Sequence, residues 1–228
     1  MSRARELSSH VEVNAQRSGD RTGTYEALAA LREALVGNLA LARRQAEEVL
    51  KITDSKYVEA AAAVVLGLTG DSARATRIAD DLDRRFPQAT SLQFHYLPMI
   101  RGAAAMAGRN GGKAMEAFAA GAPYEVGTPE QLANLLLYPV YLHGVSCLAA
   151  GQSAQAVVEF QKILDHPGLT LSKLVGPLAH LGLGRAYAMA GDSAKAKIAY
   201  QDFLALWKDA DPDVPILKQA KAEYAKLS

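Results

Sequence analysis

The sequence predicts an all-α fold: a solenoid of about five helix-turn-helix repeats, with a half-repeat before them and a capping helix after them. Three observations carry this. Alanine supplies 43 of the 228 residues, and alanine is the strongest helix former. A short punctuation recurs along the chain, as Gly70-Asp71-Ser72-Ala73-Arg74-Ala75, Gly151-Gln152-Ser153-Ala154-Gln155-Ala156 and Gly191-Asp192-Ser193-Ala194-Lys195-Ala196. Between these copies, apolar residues return every three or four positions, which is the helical period.

The elements follow in order. Ser2 to Gln16 reads as a second hairpin helix without its first, so the half-repeat is placed at 2–17 and the chain is expected to begin inside a repeat. Five hairpins are then expected at about 23–54, 56–87, 95–122, 131–166 and 177–208. The punctuation of the first is Gly37-Asn38-Leu39-Ala40-Leu41-Ala42, and that of the third is the looser Asn110-Gly111-Gly112-Lys113-Ala114. In each copy the glycine is expected to end one helix in the left-handed conformation. The Asp or Ser after it is expected to cap the next helix with a side-chain oxygen. The copies align on a small residue in the second helix: Ala4, Ala42, Ala75, Ala114, Ala156 and Ala196. Four residues on stands a residue expected to fill the hairpin interior: Ser8, Ala46, Ala79, Phe118, Phe160 or Tyr200. The capping helix is expected at 214–227, with Asp213 as N-cap and Pro215 in the first turn. Ile216, Leu217, Ala220, Tyr224 and Leu227 share one side of it, and a polar outer face is what a solenoid end needs.

This register resembles the tetratricopeptide repeat, a helical hairpin of about 34 residues with small residues at its eighth and twentieth places. The matching residues are Ala63, Leu66, Ala75, Ala79 and Pro87 in one copy. They are Gly144, Cys147, Ala156 and Phe160 in another, and Gly184, Tyr187, Ala196 and Tyr200 in the last. The tryptophan usual near the start of such a repeat is missing, and some spacings are longer than the norm. The resemblance implies a right-handed superhelix that binds protein partners. The run Phe160-Gln161-Lys162-Ile163-Leu164-Asp165-His166 and the stretch 181–228, including Phe203-Leu204-Ala205-Leu206-Trp207, resemble the C-terminal repeat region of bacterial serine/threonine protein kinases. That resemblance implies a signalling protein whose kinase domain would precede this region.

Composition narrows the rest. One cysteine cannot form an internal disulfide, nor a cysteine-rich metal site. A net charge of +1 gives no electrostatic footprint for nucleic acid. No signal peptide is readable behind Met1-Ser2-Arg3-Ala4-Arg5. The apolar stretch from Leu135 to Ala150 is shorter than the roughly 20 residues that span a bilayer. A soluble chain is expected, either cytoplasmic or a soluble region of a membrane-anchored kinase.

No chemistry-bearing motif in the sequence is complete. Kinase signatures are absent: there is no His-Arg-Asp and no Asp-Phe-Gly. The Gly-x-Gly at Gly182 and Gly184 has Tyr187 where a third glycine belongs. The stretch from Gly108 to Ala114 lacks the residues of a phosphate loop. His143 and Cys147 share a helix face, but two ligands are not a metal site, and Cys147 holds an interior register position. Asp209, Asp211 and Asp213 alternate like the start of a calcium loop without its glycine or distant Glu. No metal, cofactor or catalytic residue is expected. The mixed charges at Arg43 to Glu48 and Arg74 to Arg85 read as solvated faces with i,i+4 pairs.

The expected activity is therefore non-catalytic: a scaffold holding a peptide or helix in a concave groove. Counting from the register, the first helices turn inward Tyr57, Tyr96, Met99, Met106, Tyr138, Tyr141 and Arg185. Tyr offers area with a polar tip and Met offers adaptability. The competing reading has the same residues packing against the neighbouring repeat. Two alternatives stay open: a small-ligand or peptide-signal sensor, and a self-assembly module.

Overall fold

The structure, a computed structural model, describes residues 19–53, 55–125, 135–170 and 174–227. The expected half-repeat at 2–17 lies outside them. The described residues are helical with no strand among them. Their α-helices are α1 (Gly19–Leu35), α2 (Leu39–Ile52), α3 (Lys56–Leu68), α4 (Ser72–Arg85), α5 (Leu97–Ala107), α6 (Gly111–Ala119), α7 (Tyr138–Ala149), α8 (Ser153–Leu164), α9 (Pro167–Thr170), α10 (Val175–Met189), α11 (Ser193–Leu206) and α12 (Pro215–Ala225). A π-helical turn, Leu92–Tyr96, leads into α5, and a 3-10 turn, Ala122–Tyr124, follows α6. The short α9 was not expected from the sequence.

Five antiparallel pairs result: α1–α2, α3–α4, α5–α6, α7–α8 and α10–α11. The first helix of each pair also packs on the first helix of the next, and the second helix of each on the first of the next. Every described register alanine, Ala42, Ala75, Ala114, Ala156 and Ala196, is fully buried. So are Ala46, Ala79, Phe118, Phe160 and Tyr200 one turn on. The aromatic ones seat on glycines: a Cβ at Gly102 would lie 2.4 Å from the Phe118 ring, and one at Gly184 would lie 2.9 Å from Tyr200. Phe160 touches two, with a Cβ at Gly144 falling 2.7 Å and one at Gly182 falling 2.5 Å from its ring. Glycine removes the bulk that would hold these helices apart.

The turns and caps follow the expected chemistry, with four departures. Gly37, Gly70, Gly151 and Gly191 all have positive φ. In the third pair, however, the left-handed place is taken by Arg109, at φ 56, and not by the glycines after it. Asp71, Asn110 and Asp192 accept the N–H three residues ahead. Gln152 makes no such bond, and Asn38 instead donates its amide to Glu33. At the last helix the N-cap is Val214, while Asp213 pairs with Lys218 at 3.0 Å. Pro215 does occupy the first turn.

The outer charges form the expected i,i+4 pairs, Arg43–Glu47 at 3.3 Å and Arg85–Asp81 at 2.7 Å. They also link successive pairs, as Arg43 does to Asp71 at 2.9 Å and Arg101 to Asp83 at 2.7 Å. The Asp83 carboxyl is held below its ordinary range by its hydrogen bonds from Arg101 and Gln93. The two ends of the described chain meet. Ile216 N donates to Val36 O at 3.1 Å, and Pro215 lies against Gly37. Among the described residues no helix is long and apolar enough to cross a membrane.

Candidate functional site

The inward series expected to line a groove is largely consumed by packing. Tyr96, Met99, Tyr138 and Tyr141 are buried, while Tyr57, Met106 and Arg185 keep partial exposure. The cause is the closeness of successive first helices. Gly67 and Ala103 both belong to the inward series, on α3 and α5, and a Cβ on Gly67 would come within 2.9 Å of Ala103. At that separation Tyr57 and Tyr96 reach each other, with ring centroids 5.7 Å apart. The inward positions are thus the contact between repeats. Burial pushes the Tyr138 and Tyr141 hydroxyls up to about 12, so both stay protonated. Arg185 turns to the capping helix: its Nε and Nη2 donate to the two carboxylate oxygens of Glu223 at 2.9 and 3.0 Å. Tyr200 donates to the same carboxylate at 2.9 Å.

The chemistry collects elsewhere, between α6, α7 and α8. Glu125 follows the 3-10 turn, His143 lies in the middle of α7, and Glu159 and Lys162 stand one turn apart on α8. Glu125, His143 and Glu159 are all buried. The ligand atoms of this trio lie within 4.8 Å of one another. Lys162 Nζ donates to Glu159 Oε2 at 2.8 Å and to Glu125 Oε2 at 3.3 Å. Gln155 donates to the other oxygen of Glu159 at 2.8 Å. The remaining contacts are too long for hydrogen bonds. His143 Nδ1 stands 3.7 Å from Glu125 Oε1 and 3.6 Å from Glu159 Oε2. Both His143 Nδ1 and Glu125 Oε1 are buried without a hydrogen-bond partner, which is costly unless something satisfies them.

Electrostatics holds the group charged. Burial opposes a charge on His143, but its Cys147 contact and the two carboxylates outweigh that and raise it to about 9. Burial likewise opposes charge on Glu125, and His143 with Lys162 overcomes it, leaving this carboxyl below its ordinary value. Two carboxylates, one imidazolium and one ammonium make a neutral set. Phe118 stacks beside the imidazole, with centroids 6.2 Å apart. The cluster lies one residue from a surface feature: Phe94 and Tyr124 stack with centroids 4.6 Å apart, 40% and 44% exposed.

The sequence places His143 and Cys147 on one face and Cys147 in the interior; both are buried, but Glu125, Glu159 and Lys162 were missed. A signal for Glu159 was present. It stands three places after the register alanine, where other copies have Gln45, Ile78, Ala117 and Ala199, none of them charged. A carboxylate in that uncharged series marks a buried charge needing partners.

No family model, curated protein or solved structure matches this chain.

Proposed function

We propose that this protein is a non-catalytic scaffold of tetratricopeptide type that holds a protein partner. The recurrence of one hairpin five times, with matched interior positions, is the observation that supports the reading. Such a stack offers a long, preformed surface, and a preformed surface lowers the ordering cost of binding. With the inward tyrosines spent between repeats, the contact moves to the rim, to the exposed stacked pair Phe94 and Tyr124. Aromatic side chains exposed together are what interface hot spots are made of. The kinase-like run at the C-terminal end supports a signalling partner and rests on the sequence alone.

The test is affinity capture from the source cells with the wild-type chain, with Phe94→Ser plus Tyr124→Ser, and with Ile198→Ser, which changes a still more exposed apolar residue elsewhere. The scaffold reading expects a partner held by the wild type and by Ile198→Ser and lost by the double variant. A partner retained in full by the double variant removes the rim from consideration. A second reading, a ligand-sensing arm, is favoured by one observation: the two unpartnered atoms inside the Glu125–His143–Glu159 cluster.

A further inference from the structure

We infer that Glu125, His143 and Glu159 form a binding site for one divalent cation of borderline character, zinc being the best fit. The inference deepens the sensing reading, on which it rests only for its use, by naming the ligand.

Donor chemistry and spacing carry it. One imidazole nitrogen with two carboxylate oxygens is a donor set for zinc and its neighbours. Zinc bonds to such donors are about 2.1 Å, and at tetrahedral angles two donors then stand about 3.4 Å apart. Two of the three edges, at 3.6 and 3.7 Å, are close to that value, and with all three ligand atoms within 4.8 Å of one another the donors need only draw in to close on an ion. They are too long for hydrogen bonds and too short to admit a water between the atoms. An ion-pair network alone would draw an imidazolium into hydrogen-bond distance of at least one carboxylate. Here Nδ1 stops short of both.

The unpartnered atoms are the second, independent sign. His143 Nδ1 and Glu125 Oε1 have no hydrogen-bond partner, and their side chains are only 9% and 6% exposed. A cation between them would satisfy both. Glu159 has its oxygens oriented by Gln155 and Lys162, the kind of outer support that fixes metal-ligating carboxylates.

Charge and access also fit. Two carboxylates balance one divalent cation when the imidazole is the neutral ligand. Lys162, whose side chain is 39% exposed, then turns to solvent and opens a way in. His143 is held by helix α7 and Glu159 by helix α8, so two of the three donors sit on rigid elements. Glu125, on the turn after α6, supplies the donor that closes.

The experiment uses the whole chain, stripped with a chelator. Zn²⁺ alone is titrated calorimetrically, and Co²⁺ is titrated while the visible absorbance of the bound ion is followed. One ion per chain is expected, with a Co²⁺ spectrum of a nitrogen–oxygen site of low coordination number. His143→Gln and Glu159→Gln should each weaken binding by about tenfold or more. His166→Gln, an exposed histidine on the same side of the chain sequence, should leave it unchanged. Lys162→Met removes the competing ammonium, keeps all three donors, and should bind Zn²⁺ at least as tightly as the wild type. It guards against the case in which the buried variants fail to fold, which their helical circular dichroism reports. Absence of binding by both the wild type and Lys162→Met overturns the site, as does binding that survives His143→Gln and is lost in His166→Gln. Zn²⁺ binding with no change in the scattering radius of the chain keeps the site and removes the sensing role.

Discussion

Phe160 is held between two glycines, and this makes Gly182→Ala a sharp test of the helix packing. An added Cβ on Gly182 would stand 2.5 to 2.6 Å from three atoms of the Phe160 ring, where carbon contacts ordinarily sit at about 3.5–4.0 Å. The ring would need to retreat by about 1 Å. Its room to move is limited by a second close helix, since a Cβ on Gly144 would also lie 2.7 Å from the same ring. Overpacking of this kind costs roughly 1–3 kcal/mol. Against it stands the better helix propensity of alanine, about 1 kcal/mol. The net expectation is a loss of roughly 0–2 kcal/mol, or a fall in Tm of up to about 8 °C for a chain of this length.

The assay is thermal and urea unfolding followed by helical circular dichroism. Gly112→Ala serves as the control, since its Cβ would meet only Asn110 at 3.9 Å. That variant should hold or gain stability. In a Phe160→Leu background the clash is gone, so Gly182→Ala should turn neutral or stabilising, giving a coupling of about 2 kcal/mol in the double-mutant cycle. A coupling near zero in that cycle would refute the close approach of α8 and α10.

Two further outcomes follow from single residues. Arg109→Gly should raise stability by up to about 1 kcal/mol, because Arg109 stands at φ 56 where a side chain is strained; unfolding in urea measures it, and a destabilised variant would deny the left-handed turn. His95 is buried and its pKa is pushed down to about 4 by that burial, so between pH 6.5 and 4 the unfolded chain binds the extra proton. Stability on this account is complete above pH 6.5 and falls as pH drops, by roughly 3 kcal/mol at the limit. His95→Leu should flatten that part of the curve between pH 6.5 and 4.5, and a slope unchanged by the substitution would contradict the burial.

What the sequence made legible was local. The hairpin interior is set by residues one turn apart on one helix and by a partner helix a short turn away. Ala156 and Phe160, or Ala196 and Tyr200, therefore announce their burial through spacing alone. The turns were legible for the same reason, since Gly70 or Gly191 must reverse the chain within a few residues. Arg109 escaped because the rule names the best residue for a left-handed place and not every residue that tolerates it.

The groove was a different kind of inference. Spacing puts Tyr57, Tyr96 and Tyr138 on one face, but whether that face is open depends on how closely successive hairpins approach. That distance is decided by pairs far apart in the chain, such as Gly67 against Ala103, and no period within one helix encodes it. Small residues inside the expected groove were the available warning: an inward series of Ala60, Gly67 and Ala103 offers little to a ligand and much to a neighbouring helix. The same reasoning explains the missed cluster. Glu125 comes from a stretch without helical period, and it meets His143 and Glu159 only through the folding of three elements. Glu159 alone put a charge at its register place, which holds Gln45, Ile78, Ala117 and Ala199 in the other described hairpins, and a buried carboxylate there implies a counter-charge supplied from elsewhere in the fold. Lys162 supplies part of it from the same helix. His143 faces it across the hairpin and stops short of bonding, which is why the cluster reads as a place for a cation and not only as a bond between α7 and α8.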